Sequence, residues 1–387
     1  MDSDPAGAPR IVRIDSGRAV SIGLGLACVV LLLLTPASRI EGRAPAGRID
    51  DRAFWRMFAE FSEPAGYFRS DNFLSNERTF QHVIPDLVRR VAPGGAYLGV
   101  GPEQNFTYLV ALRPRIAFII DIRRQNALLH LLYKALLEIS RDRVEFLSHL
   151  FSRPRPEGLD RFCTPEALFD AYREAPPASD LRRQNLRAVR DQLVKRHHFP
   201  LTGDDLKAIE YVHNAFYTDG PDLSYAFSGS PGRRRFPTYA ELMLQTDERG
   251  RQHSYLASDD NYQVLRDLER NNLVIPVVGD FAGDKAIRAV ARYLADQGAT
   301  VGAFYTSNVE FYLFQSDRWP TFFASARTLP FDRTSTFIRA ASGNAGRAFG
   351  GPGLTRTLLD PIADLAAAVD EDRIRSYRDL IDIPRVR

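Results

Sequence analysis

The period of the hydrophobic positions changes several times along the chain, and each change predicts an element. Phe54, Trp55, Phe58 and Phe61 recur at helical spacing, so a helix is expected from near Asp51 to the break at Pro64-Ala65-Gly66. Phe80, Val83, Ile84, Leu87 and Val91 share one face of a second helix expected over 77–91, stopped by Pro93-Gly94-Gly95. Residues 96–100 form a short apolar run. Residues 116–122 (IAFIIDI) are nearly all apolar, as expected of a strand buried on both faces of a parallel sheet. Between them lie a Gly99-Val100-Gly101 turn and a helix expected over 105–112; a further helix is expected over 126–140. Strand, glycine loop, helix, strand and helix in that order predict a parallel, right-handed α/β unit.

Regular alternation stops over about 153–250, which is rich in Arg, Pro and polar residues, with helical patches at 181–196 and 204–216. This stretch reads as a largely helical insertion sitting over the sheet. Alternation then resumes: a helix over 259–271, a buried strand over 273–278, a helix over 284–297 with Asp284 as its N-cap and Gly298 as its stop, and a strand over 300–305. Residues 322–329 and 335–341 read as a final antiparallel pair. The glycine-rich 343–353 reads as a linker, and 354–369 as a helix before a charged tail.

One segment stands apart. Residues 19–38 carry no charge, and about 20 apolar residues suffice to cross a bilayer core as a helix. Arg10, Arg13 and Arg18 precede it, so the segment reads as an uncleaved membrane anchor or as a cleaved, exported signal. Arg39, Arg43, Arg48 and Arg52 follow it, which leaves no charge asymmetry to set the orientation. The expected organisation is a tail (1–18), an anchor (19–38), a linker (39–50), one elaborated α/β domain (51–345) and a C-terminal helical tail (346–387).

Composition adds limits. With 44% hydrophobic and 26% charged residues the chain is globular, and two cysteines build neither a disulfide framework nor a multi-cysteine zinc site. A net charge of +3 does not argue for nucleic acid. Four of the 51 basic residues are lysines, an arginine skew that reads as genome composition, so Arg233-Arg234-Arg235 is expected to be a solvated loop. No histidine spacing suits a metal: His197 and His198 are adjacent, and no His-Glu-x-x-His occurs. Neither a Gly-x-Ser-x-Gly elbow nor a phosphate-binding Walker loop is present.

The candidate chemistry sits where strands turn into helices. Gly99 and Gly101 allow backbone to approach a ligand, and the free N–H groups of a helix start favour a negative group. Asp121 ends the next strand, twenty residues beyond Gly101, where a carboxylate can accept both hydroxyls of a ribose. The alternative is a tight turn beside a helix cap. Gln104 stands where a nicotinamide fingerprint would need its third glycine. After the later strand, Tyr305, Ser307, Asn308 and Glu310 face a substrate crevice or simply cap a helix. Asn72, Asn76 and Glu77 (DNFLSNE) fold over the bound ligand or likewise cap a helix.

The stretches 98–126, 254–314 and 335–341 resemble an uncharacterised bacterial protein family whose fold is similar to the class I S-adenosylmethionine-dependent methyltransferases. That resemblance implies a Rossmann-like, mostly parallel sheet with methyltransferase-like topology. It implies a nucleoside cofactor, S-adenosylmethionine, in a site of Gly99, Gly101, Glu103, Asn105 and Asp121, with Asp280 and Tyr305 near the reacting centre. The chain departs from that pattern in two places: Tyr97 replaces the acidic residue two positions before Gly99, and Pro102-Glu103 replaces the third small residue. Two functions follow as expectations: a membrane-anchored methyltransferase-like enzyme, or a non-catalytic protein using the same fold to bind a ligand or partner at the membrane. A dehydrogenase is the weakest reading.

Overall fold

In the computed structural model, which describes residues 47–225, 236–341 and 355–383, an N-terminal helix leads into an α/β sheet. Helix α1 (Asp51–Phe61) starts where the Asp50 carboxylate accepts the Ala53 N–H at 2.7 Å, and it buries Phe54, Met57 and Phe58 on the predicted face. The membrane candidate 19–38, Arg233-Arg234-Arg235 and the 343–353 linker lie outside the described residues. Among the described residues no helix is long and apolar enough to cross a membrane.

Six strands form one sheet among the described residues: β1 (Ala96–Gly99), β2 (Ile116–Asp121), β3 (Val274–Val278), β4 (Val301–Ser307), β5 (Thr336–Ala341) and β6 (Arg356–Pro361). Their order is β3-β2-β1-β4-β5-β6; the first five are parallel, and β6 runs antiparallel to β5. Every residue of β1, β2 and β3 is buried, which is why their sequences read as continuous apolar runs rather than alternating ones.

Helix α2 (Ile84–Arg90) precedes β1, and α3 (Gln104–Leu112) joins β1 to β2. Between β2 and β3 the chain is helical, beginning with α4 (Arg124–Ile139), α5 (Arg143–Phe151), α6 (Pro165–Glu174) and α7 (Ser179–Arg190). It continues through α8 (Gly203–Asp219), α9 (Tyr239–Met243) and α10 (Asp259–Arg270). This layer encloses α4, whose residues Asn126 to Leu137 are all buried. A helix apolar all round is stable only when covered on all sides, and α8 and α10 supply that cover. Helix α11 (Ala286–Asp296) joins β3 to β4; α12 (Val309–Gln315) and α13 (Trp319–Ala326) lead to β5; α14 (Ile362–Asp370) and α15 (Tyr377–Asp382) follow β6.

Four expectations are corrected. The helix expected over 77–91 is helical only from Ile84: Pro85 suits a first turn, and residues before a proline avoid helix. Upstream, Gln81 turns inward instead, donating to the Leu242 carbonyl at 3.2 Å and accepting the His253 N–H at 2.7 Å. The strand expected at 322–329 is helix α13, started by Pro320 in its first turn. The antiparallel partner of β5 is therefore β6, cut from what was expected to be a helix over 354–369. Finally, Asp284 does not cap α11. Glu63 does so from a distance, accepting the N–H groups of Lys285 at 3.1 Å and Ala286 at 2.6 Å.

Candidate functional site

A cavity of about 240 Å³ opens at the carboxyl ends of β1, β2, β3 and β4. The strand order reverses beside β1, whose successors β2 and β3 lie on one side and β4 on the other. Ligands of open α/β sheets bind at such a switch point. Each strand delivers a residue: Gly101 follows β1, Asp121 ends β2, Gly279 and Asp280 follow β3, and Tyr305 and Ser307 end β4. Drug-sized ligands occupy sites from about 300 Å³ upward, so this volume suits a nucleoside-sized occupant.

The outer wall comes from the segment before α2. Its backbone is tied to the strand ends, with Glu63 N–H donating to Val278 O at 2.8 Å and Gly66 N–H to Ile122 O at 2.9 Å. Tyr67, Phe68, Asn72 and Asn76 then line the cavity, whereas Glu77 of the DNFLSNE stretch does not. Tyr67 is 84% exposed, an aromatic face at the cavity rim.

The two glycines have different roles. A side chain on Gly99 would stand 1.9 Å from Asn105 Oδ1 and 2.8 Å from the Tyr97 ring, so Gly99 is small to admit the molecule's own packing. Gly101 lies at φ +77° with open space where a Cβ would stand. It is the glycine at which a ligand can meet backbone. Gly99→Ala is therefore expected to lower stability by about 1–3 kcal/mol through overpacking, measured by denaturant titration; an unchanged midpoint would refute this role.

Asn105 and Glu103 are not on the cavity wall. Asn105 is buried and holds the loop from beneath, donating to the carbonyls of Val100 (2.9 Å), Gly101 (3.2 Å) and Pro102 (2.7 Å) while accepting the Tyr97 hydroxyl at 2.8 Å. Tyr97 thus buttresses the loop. His130 Nε2 adds a fourth contact, 2.9 Å from the Gly101 carbonyl, and burial pushes this imidazole down to about 4, so it is neutral. Glu103 is buried, meets the Ser75 N–H at 3.3 Å, and is pushed up to about 8 by burial.

Both predicted carboxylates in the cavity are held by arginines. Arg123 donates from Nε to Asp121 Oδ1 at 2.9 Å and from Nη2 to Oδ2 at 2.8 Å, and its backbone N–H adds a bond to Oδ1 at 2.9 Å. A carboxylate has about four acceptor positions. Oδ1 is filled and Oδ2 retains one, enough for one ligand hydroxyl rather than two. Arg318 Nη1 sits 2.7 Å from Asp280 Oδ2. Sequence reasoning missed both arginines: Arg123 had a signal, two residues beyond Asp121, whereas Arg318 meets Asp280 only through folding. Glu310, read as facing the crevice or belonging to a helix cap, does not line the cavity and pairs with Arg339 at 2.5 Å.

A family model described as a domain of unknown function (DUF7790) matches residues 72–160 and 181–378. The chain belongs to this family. Glu77, Gly101, Asp121, Asp280, Tyr305 and Ser307 all fall within the matched residues of this DUF7790 member. No curated protein matches the chain. Among the described residues no group of three or more His, Cys, Asp or Glu side chains is placed to hold a metal ion.

Proposed function

We propose that the crevice binds a nucleoside-type small molecule and that the chain is a membrane-anchored, methyltransferase-like protein whose cofactor is S-adenosylmethionine. The observation that carries this reading is the convergence of Gly101, Asp121, Asp280 and Tyr305 on one cavity at the switch point. The strand order, with five parallel strands and a final antiparallel one, supports a Rossmann-like topology of the methyltransferase kind. The donor set fits a nucleoside: Asp121 Oδ2 has one acceptor position left for a ribose hydroxyl, and Gly101 leaves room for close approach. When bound, S-adenosylmethionine supplies an activated methyl group. The chain itself contributes positioning, through a wall of mixed apolar and polar residues. Anchoring rests on residues 19–38.

One observation favours a second reading, a non-catalytic ligand- or partner-binding protein on the same fold. Asp121 and Asp280 are both neutralised by arginines, which suits permanent structure as well as it suits a site.

Calorimetric titration of the full chain with S-adenosylmethionine and with adenosine tests the proposal. Saturable heat with both is expected, and Asp121→Ala should weaken binding by about 10-fold, the worth of one hydrogen bond to a charged group. Absence of heat and of any thermal shift at millimolar ligand would sink the nucleoside reading.

A further inference from the structure

Glu77 lies behind the cavity wall, 1% exposed. Its Oε1 accepts the Tyr305 hydroxyl at 2.8 Å and the Ser307 hydroxyl at 2.6 Å, and its Oε2 accepts Gln104 Nε2 at 2.9 Å. All three donors are neutral. Several other buried carboxylates of this fold have a cation: Glu310 and Asp360 share Arg339, and Glu138 has Lys134. Among the described residues Glu103 has none, but it does not line the cavity and no hydroxyl links it there. Burial without a cation holds the Glu77 carboxyl above the usual glutamate range, against the pull of its three hydrogen bonds. A buried carboxylate lacking a counter-charge is a liability for stability, and such groups cluster at functional sites.

The two hydroxyls connect Glu77 to the cavity, since Tyr305 and Ser307 both line it. Ser307 is held at φ +51°, in the left-handed region unusual for a serine, and the pairing of β4 with β5 shifts register between Tyr305 and Ser307. Non-glycine residues held in such conformations concentrate at functional sites. Both hydroxyls donate to Glu77, which leaves their oxygens as acceptors. A donor, a hydroxyl or an amine, therefore suits this end of the crevice better than a carboxylate or phosphate.

We propose that Glu77 is the proton acceptor of this crevice, reached from a ligand hydroxyl or amine through the Ser307 and Tyr305 hydroxyls. The inference rests on the reading that the cavity binds a small molecule. The ligand's proton passes to the Ser307 or Tyr305 oxygen as that residue's own proton passes to Glu77 Oε1. The hydroxyl residue ends as it began, Glu77 becomes a carboxylic acid, and the ligand keeps the electron pair.

Methanesulfonyl fluoride on the full chain tests this without a natural ligand. The Ser307 or Tyr305 oxygen attacks the sulfonyl sulfur, fluoride leaves with the S–F electron pair, and the hydroxyl proton goes to Glu77. Mass spectrometry should locate the label on Ser307 or Tyr305. The rate should rise with pH as Glu77 deprotonates, with a midpoint above the usual glutamate range. In Glu77→Gln the rate should fall about 100-fold, the scale of a lost general base, and its pH dependence should vanish. Glutamine is isosteric and neutral, so the thermal midpoint should hold or rise, which separates proton acceptance from a structural role. Ser307→Ala and Tyr305→Phe should each confine the label to the other hydroxyl. Absence of label on both hydroxyls, or a Glu77→Gln rate within about threefold of the wild type, overturns the proposal. Added adenosine separates the two readings: Glu77-dependent labelling that adenosine does not slow sinks the nucleoside reading alone, and Glu77-independent labelling that adenosine does slow sinks this one alone.

Discussion

Replacement of Arg339 by alanine is expected to lower the stability of the folded chain by about 3–5 kcal/mol, the penalty for removing one partner of a buried ion pair. Arg339 is 1% exposed on β5, and its guanidinium bridges two elements. Nε meets Glu310 Oε2 of α12 at 2.5 Å, and Nη1 meets Asp360 Oδ2 of β6 at 2.5 Å. Without the arginine, two buried carboxylates would face each other across the vacated space. The loss should appear as a lower denaturant midpoint, with early loss of hydrogen-exchange protection in β6 and α12. Arg339→Lys should recover only part of it, because one ammonium cannot reproduce the fork that serves both carboxylates. A change below about 1 kcal/mol in the alanine variant would show that the network is not what joins β6 to the sheet.

Lys134→Met is expected to destabilise by a similar amount, about 3–5 kcal/mol, and more at alkaline than at acid pH. Lys134 is buried on α4, with its ammonium 2.7 Å from Glu138 Oε1, 4.0 Å from Glu269 Oε2 and 5.1 Å from the centre of the Phe54 ring. His197 extends the cluster, with Nε2 2.6 Å from Glu138 and Nδ1 2.8 Å from Asp51 at the start of α1. Burial works against the Glu138 carboxylate, but the His197 hydrogen bond and the Lys134 charge outweigh it and hold its pKa below the ordinary value. Glu269 lacks that compensation: burial pushes it up to about 8 despite Lys134, and Glu138 adds to the rise. The pH dependence follows from these directions. Because the Glu269 pKa is raised, its contribution to stability is fully present below the ordinary glutamate range and is lost as pH rises through about 8. Glu269→Gln should therefore flatten the alkaline decline. Denaturant midpoints of wild type, Lys134→Met and Glu269→Gln at about pH 6 and about pH 9 check both expectations. A wild-type stability that does not fall between the two pH values would sink the assignment to Glu269.

Residues that act through local spacing were legible. The runs at 96–100, 116–122 and 273–278 announced buried parallel strands because a strand covered on both faces cannot alternate. Gly101, Asp121 and Tyr305 could be named because ligand groups in an α/β sheet gather at strand ends, and the strand ends were visible; Asp280 was named through the family resemblance. What failed depended on distant partners. Asp284 looked like the cap of α11, yet Glu63, more than two hundred residues away along the chain, fills that place. The 354–369 stretch read as helix, yet its first half found an open sheet edge at β5 and paired with it. Glu103 and Asn105 were placed on the ligand by position in the motif, whereas the fold sends both side chains beneath the loop.

The sequence alone determined the α/β alternation, the fully buried central strands and the glycine turn after β1, since each follows from local periodicity and backbone sterics. Only the tertiary structure decided which carboxylates are free. It pairs Asp121 with Arg123 and Asp280 with Arg318, gives Glu310 and Asp360 to Arg339, and leaves Glu77 against two hydroxyls with no cation among its hydrogen-bond partners. The physical reason is that a carboxylate's chemistry is set by burial and by whichever charges share its space. Those neighbours come from elements far apart in the chain, and periodicity carries no record of them.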